Sequence, residues 1–224
     1  MVSLFFYVTI KETEIQNIVS GFLAIGREGK EMNRNNLVIK NRVIEAAFKV
    51  SEKKGPKFTM NDLAKELGMS KKTIYTVFED KENLFFAMVD YFFDSVKEGE
   101  EQLLKKEADL PLDLRFKHVL GVLPETSTDI NFTELYAVRE KYPKVYERIQ
   151  NRLESGWELT LSLLDEGIET GVFRKVDKVV FQLTFEAAIE RFLIGDELAA
   201  NGLSYGEILG ELVDILVDGI KTQN

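Results

Sequence analysis

Lys71, Lys72, Thr73, Tyr75 and Thr76 fall within six residues of the stretch GMSKKTIYTVFEDK, residues 68–81. On a helix they cannot all pack inward beside Ile74 and Phe78, whose spacing of four sets the buried side. A lysine ammonium attracts phosphate or donates to guanine. Threonine offers a hydroxyl to a phosphate or base edge and a methyl to thymine, and tyrosine can donate to phosphate. Taken singly, the two lysines could be a solvated face and Tyr75 a half-buried packing residue. Taken together, they suit non-covalent recognition of a polyanion with readable edges.

The charge balance agrees. The 224-residue chain has a formal charge of −9. From Arg34 to Lys81 it carries 11 Lys and Arg against 6 Asp and Glu, net +5. Residues 82–224 carry 15 against 28, net −13. A cationic head on an anionic body implies a polyanion partner for the head alone, with the body repelled. Hydrophobic residues at 45% and charged residues at 30% exclude a disordered chain. Cysteine is absent, which excludes disulfides, thiol catalysis and cysteine-ligated metals and favours a cytoplasmic location. No apolar run reaches the roughly 18 residues of a membrane helix, so no membrane partner is expected.

The elements that would position the head residues read as helices throughout. Asn35 or Asn36 opens the first, with a stripe from Val38 through Val43, Ile44 and Ala47 to Val50, and Gly55-Pro56 ends it. Thr59 and Asp62 have the spacing of a capping box before MNDLAKEL. Gly68 turns the chain, Ser70 caps KKTIYTVF, and Asp80 caps a long helix from Lys81 to about Lys105. Its wide apolar face, with Leu84, Phe85, Met88, Phe92 and Phe93, must touch more than one neighbour. Further helices are expected near 112–123, 131–139, 143–170, 177–199 and 204–221, with Gly171 ending one and Asp177 and Ser204 starting others. The fold class is all-α: a three-helix helix-turn-helix head at 34–81 and a helical body at 82–224.

Here the chain resembles the tetracycline-repressor (TetR) family of bacterial transcription regulators. The resemblance rests on VIEAAFKVSEKKGPKFTMNDLAKELGMSKKTIYTVFEDKENLFFAMVDYF and covers about residues 38–93. It implies a homodimer of all-helical subunits, each with a DNA-reading head and a ligand-responsive body. Most such proteins repress. By position, Thr59 would bind phosphate, compatibly with capping its helix. Ser70, Lys71, Lys72, Thr73 and Thr76 would lie in or beside the major groove, and Tyr75 and Lys81 would bind phosphate. Lys72 stands where many relatives have Gly, and Val77 where many have His, which leaves the operator sequence open.

In the body, the resemblance puts a largely apolar effector pocket among the central helices. Phe116, Phe132, Tyr136, Arg139, Trp157 and Phe185 are candidates to line it, with Arg139, Glu186 or Glu190 as polar anchors. Packing in the core is the alternative for each aromatic. The last two helices are candidates for a dimer interface through Phe185, Ile189, Phe192, Ile208, Leu212, Ile215 and Leu216. Packing within the subunit is again the alternative. His118 is the single histidine and cannot by itself make a metal site. No nucleophile elbow, phosphate-binding loop or zinc-protease motif is present, so neither catalysis nor a cofactor is expected. A second reading is an all-helical protein-interaction module whose head no longer binds DNA.

Residues 1–33 form an amino-terminal extension with a short apolar run, VSLFFYVTI. Its GREGKEM stretch is what purine-rich codons encode, which makes Met32 a candidate natural start with residues 1–31 read from upstream. The alternative is a segment that packs on the body.

Overall fold

A computed structural model describes residues 35–124, 138–194 and 201–222. The amino-terminal extension, the expected helix at 131–139 up to residue 137, and the end of the helix expected at 177–199 lie outside the described residues, as do Phe132 and Tyr136.

Helix α1 spans 35–54 and gives way to a single 3-10 turn, Gly55–Lys57. Helix α2, Met60–Leu67, starts on a complete capping box. The Thr59 hydroxyl accepts from the Asp62 amide at 3.2 Å, and the Asp62 carboxylate accepts from the Thr59 amide at 2.8 Å. Gly68 follows in the left-handed region at φ 61, where a side chain would be strained. Helix α3, Lys71–Tyr75, has Ser70 as its cap, and α4, Lys81–Lys106, has Asp80. Each of these caps stands where the sequence pattern puts it.

The body begins with α5, Leu112–Leu120. The single helix expected over 143–170 is two helices, α6 at Pro143–Leu153 and α7 at Glu158–Glu169. Gly156 between them has φ 76, which a helix cannot include. The apolar spacing runs on through the break because Trp157 restores the register. Its indole Nε1 donates to the Leu153 carbonyl at 3.1 Å across the joint. Gly171, also at positive φ, closes α7. Helix α8, Lys178–Ile194, opens with the Asp177 carboxylate accepting from the Val179 amide at 2.9 Å. Helix α9, Tyr205–Ile220, opens on a second capping box, from Ser204 and Glu207.

Two apolar cores result. The body core gathers α5, α7, α8 and α9 around Phe116, Leu164, Phe173 and Val217, all at most 1% exposed. The head core gathers Val43, Ala47, Leu63, Ile74 and Leu84, all fully buried. It does not stop at Lys81: Phe85 and Met88 of α4, Val138, and Val145 of α6 belong to it. Tyr142 also packs against it. Ion pairs lock α6 to α4, with Arg148 bidentate on Asp90 at 2.9 and 3.0 Å and Arg152 on Asp94 at 2.6 Å. Among the described residues no helix is long and apolar enough to cross a membrane.

Candidate nucleic-acid interface

The interface is built on two buried residues. Ile74 is fully buried and Phe78 is 4% exposed, so together they clamp α3 onto the head core. With that side fixed, Lys71, Lys72 and Tyr75 must face solvent, and all three are exposed. Tyr75 is 48% exposed, unusual for so large a ring unless its hydroxyl has work at the surface.

The hydroxyls beside them are partly committed. Ser70 Oγ accepts from the Thr73 amide at 3.1 Å and lies 2.9 Å from Thr73 Oγ1. Thr76 Oγ1 donates to the Thr73 carbonyl at 2.6 Å, which leaves its lone pairs and methyl outward. Thr59 Oγ1 donates to Asp62 at 2.8 Å. Lys54 also reaches Asp62, at 2.7 Å, and ties the end of α1 to the start of α2. The Lys54 ammonium, with the Thr59 amide and hydroxyl, holds the Asp62 carboxyl well below the usual carboxylate range. Thr59, Ser70 and Thr73 thus stiffen the frame, while Lys71, Lys72 and Tyr75 present donors.

Lys81 is placed differently from the expectation of a phosphate contact. Its ammonium turns inward and donates to the carbonyls of Pro56, at 2.6 Å, and of Phe58. It sits 4.0 Å from the ring centroid of Phe58 and 5.1 Å from that of Phe85. Burial, and then the nearby Lys141 charge, pull its pKa down to about 8. The two carbonyls hold it inward because the turn at Gly55–Lys57 and the residue after it face the start of α4.

One cavity of the body has a volume of about 90 Å³ and lies between α4 and the body core; a wider groove of about 950 Å³ lies between α4, α5 and α9. Two of the candidate pocket residues, Trp157 and Phe185, line the smaller cavity. Phe116 does not. It is fully buried in the body core, 5.2 Å from Phe173 and 5.6 Å from Phe181, centroid to centroid. Arg139 is exposed and lies over the Tyr146 ring at 5.3 Å. Of the other candidate anchors, Glu186 accepts from Gln182 at 2.7 Å and Glu190 from Gln150 at 2.8 Å, and neither lines the cavity.

The cavity's charged residues, Lys97 and Glu100 of α4, were not among the candidates. The signal was there: Phe93, Val96, Glu100 and Leu103 recur at three and four residues, so Glu100 occupies an inward position of an apolar stripe. Glu100 is 4% exposed, and Lys97 Nζ donates to it at 2.8 and 3.0 Å.

The expected dimer residues divide. Phe185, Ile189 and Ile208 are at most 8% exposed within the subunit, which corrects their assignment to an interface. They face the body core because α8 and α9 pack on each other and on α5 and α7. Phe192, Leu212 and Leu216 are half-buried against that core. Ile215 is 70% exposed. Val179, Val180 and Leu183 of α8 join it, at 63%, 62% and 56%. Among the described residues no group of three or more His, Asp or Glu side chains could hold a metal ion.

The comparisons with known proteins agree with this geometry. Residues 43–88 match the family model described as bacterial regulatory proteins, tetR family. The chain is 27% identical over 179 residues to an uncharacterised helix-turn-helix transcriptional regulator, YvaF, of Bacillus subtilis strain 168. That match covers 80% of this chain and 94% of the relative. A TetR transcription regulator from Haloarcula marismortui shares the fold at a TM-score of 0.63 and 16% identity, covering 82% of this chain and 98% of its own. A TetR-family regulator from Cytophaga hutchinsonii does so at 0.61 and 18%, covering 83% and 96%.

Proposed function

We propose that the chain, whose residues 43–88 match the tetR family of bacterial regulatory proteins, is a ligand-responsive repressor that grips a pseudo-palindromic operator as a homodimer. DNA-binding transcriptional regulation is the function of the family. The observation that carries the finer reading is the exposed Lys71, Lys72 and Tyr75 surface, held on α3 by buried Ile74 and Phe78, on a protein otherwise strongly acidic. In this division of labour residues 34–81 read the duplex, and residues 82–224 bind the effector and dimerise. Ser70, Lys71, Lys72, Thr73 and Thr76 lie in or beside the major groove. Thr59 and Tyr75 meet phosphates.

Dimerisation is supported by the exposed apolar side chains of α8 and α9, Val179, Val180, Leu183 and Ile215. Paired with a copy of itself, such a face closes on a two-fold axis and sets the spacing of two heads on successive major grooves. The effector acts through α4, which enters the head core at one end and borders the cavity further along. An effector that binds the non-DNA geometry better by a few kcal/mol shifts the population.

The test is a titration of the protein against DNA from its own upstream region at two salt concentrations, with the Lys71→Ala/Tyr75→Ala variant alongside. Tight binding that weakens steeply with salt and is lost in the variant supports the reading. No affinity for any DNA, in an intact dimer free of ligand, sinks it and favours a protein-interaction module.

A further inference from the structure

The cavity has a sign. Its deepest charged group is Glu100, buried to 4% exposure, and the counter-charge is a single lysine whose side chain remains 36% exposed. The Lys97 stem lies over Gly156, where an added Cβ would come within 2.9 Å of the lysine Cε. Lys97 therefore reaches in from the rim, with its partly exposed side chain open to water. Four aromatic rings line the same cavity: Phe92 with Phe93, and Trp157 with Phe185, each pair edge to face at 5.4 Å. Phe93 already takes a cation, the Arg152 guanidinium, at 5.5 Å from its centroid.

We propose that this cavity is the effector site and that its ligand is a lipophilic cation, whose ammonium takes the place of Lys97 on the Glu100 carboxylate while its apolar part lies against Phe92, Phe93, Trp157 and Phe185. The inference rests on the ligand-responsive reading above and names its ligand class. Three considerations fix the sign. An anion seeking Lys97 meets the Glu100 charge at the same place. A neutral ligand leaves the ion pair intact and gains only apolar contact. A cation exchanges one ammonium for another, so Glu100 never stands unpaired, and it gains ring faces that a flexible lysine at the rim does not use. Burial holds the Glu100 carboxyl above its usual range despite Lys97, as for a carboxylate short of compensation. At longer range the body's net −13 concentrates cations near it.

The exchange also supplies a switch. A cavity of about 90 Å³ is well under the roughly 300 Å³ at which ligand sites begin, so the ligand enters as Lys97 leaves and α4 moves. Both residues ride on α4, whose first turns lie in the head core.

Trp157 is the chain's single tryptophan and lines the cavity, so its fluorescence reads occupancy directly. The full-length protein is titrated with benzyltrimethylammonium, with its uncharged carbon isostere neopentylbenzene, and with 4-tert-butylbenzoate. The cation is expected to bind at least about tenfold tighter than the other two. Glu100→Gln should remove most of the cation's advantage over the isostere, and Lys97→Met should tighten the cation by about tenfold, because the competing ammonium is gone. Equal binding of cation and isostere by the unaltered protein overturns the proposal without recourse to any variant. So does tightest binding of the benzoate with its loss in Lys97→Met. Affinity for upstream DNA is measured separately without ligand. Cation selectivity without DNA binding keeps the ligand class and removes the repressor. DNA binding without selectivity does the reverse.

Discussion

The ring of Tyr142 meets that of Phe85 edge to face, with centroids 5.0 Å apart. Phe85 in turn meets Phe58 at 5.6 Å. A residue just ahead of α6 thus reaches into a stack that runs to the turn before the α2–α3 pair. At its other end α6 borders the cavity through Leu153. One helix of 11 residues therefore spans from the cavity to the head core, alongside α4 and pinned to it by Arg148 and Arg152. A double-mutant cycle on Phe85→Leu and Tyr142→Leu should give a coupling of about 1 kcal/mol in thermal unfolding. The Tyr142 variant should also blunt the loss of DNA affinity on effector binding. Additive effects on both readouts would mean that the stack carries nothing between the two sites.

Lys81 has a consequence in pH. Its folded pKa, about 8, lies below the 10.5 of an unperturbed lysine, so between those values the unfolded chain binds more protons. The charged form is disfavoured in the folded state. That cost is fully present below pH 8 and is relieved as pH rises toward 10.5. Relative to Lys81→Met, the unaltered protein should gain stability from pH 8 to 10, followed as the difference in midpoint temperature. The partial exposure of Lys81 keeps the gain small. A difference that falls over this range would show that the carbonyls and rings favour the ammonium more than burial disfavours it. Lys81→Met should also leave the salt dependence of DNA binding unchanged, whereas Lys71→Ala should lower the slope by about 1.

Gly167 shows how closely the body core is packed. An added Cβ there would stand 2.1 Å from Phe173 Cδ2, and Phe173 is 1% exposed with no room to yield. Gly167→Ala should lower stability by about 1–3 kcal/mol in chemical denaturation despite its better helix propensity. Adding Phe173→Leu should recover part of the loss. If Gly167→Ala alone raises the denaturation midpoint, α7 and the Phe173 segment can separate without cost.

The caps and turns were legible in the sequence because they depend on residues three apart. Thr59 with Asp62, Ser70, Asp80 and Ser204 all cap where the sequence puts them, and Ser204 forms with Glu207 a second box that was not among the expectations. The exposed face of α3 was legible for the same local reason. The break at Gly156 was not, because Leu153 and Trp157 keep helical spacing across it. Apolar spacing also cannot say whether a stripe meets its own subunit or another. Ile189 and Ile215 look alike in sequence, yet one is 3% exposed and the other 70%. The role of Lys81 depends on the carbonyls of a turn more than 20 residues away, which no local pattern displays.

That contrast between Ile189 and Ile215 yields the sharpest test of the assembly. Ile215→Lys places a charge on a side chain that touches little of its own subunit, so the folded subunit should keep its stability. If α8 and α9 form the dimer, the variant should sediment as a monomer at micromolar concentration, because a charge opposite its own symmetry copy is unpaired and repelled. Its affinity for a two-half-site operator should fall by a hundredfold or more, on the order of 3 kcal/mol, because one head no longer raises the local concentration of the other. Ile189→Ala should do the opposite: lower stability by about 2–4 kcal/mol through a cavity in the core and leave the folded fraction dimeric. A dimeric, operator-binding Ile215→Lys protein would move the two-fold axis away from this face.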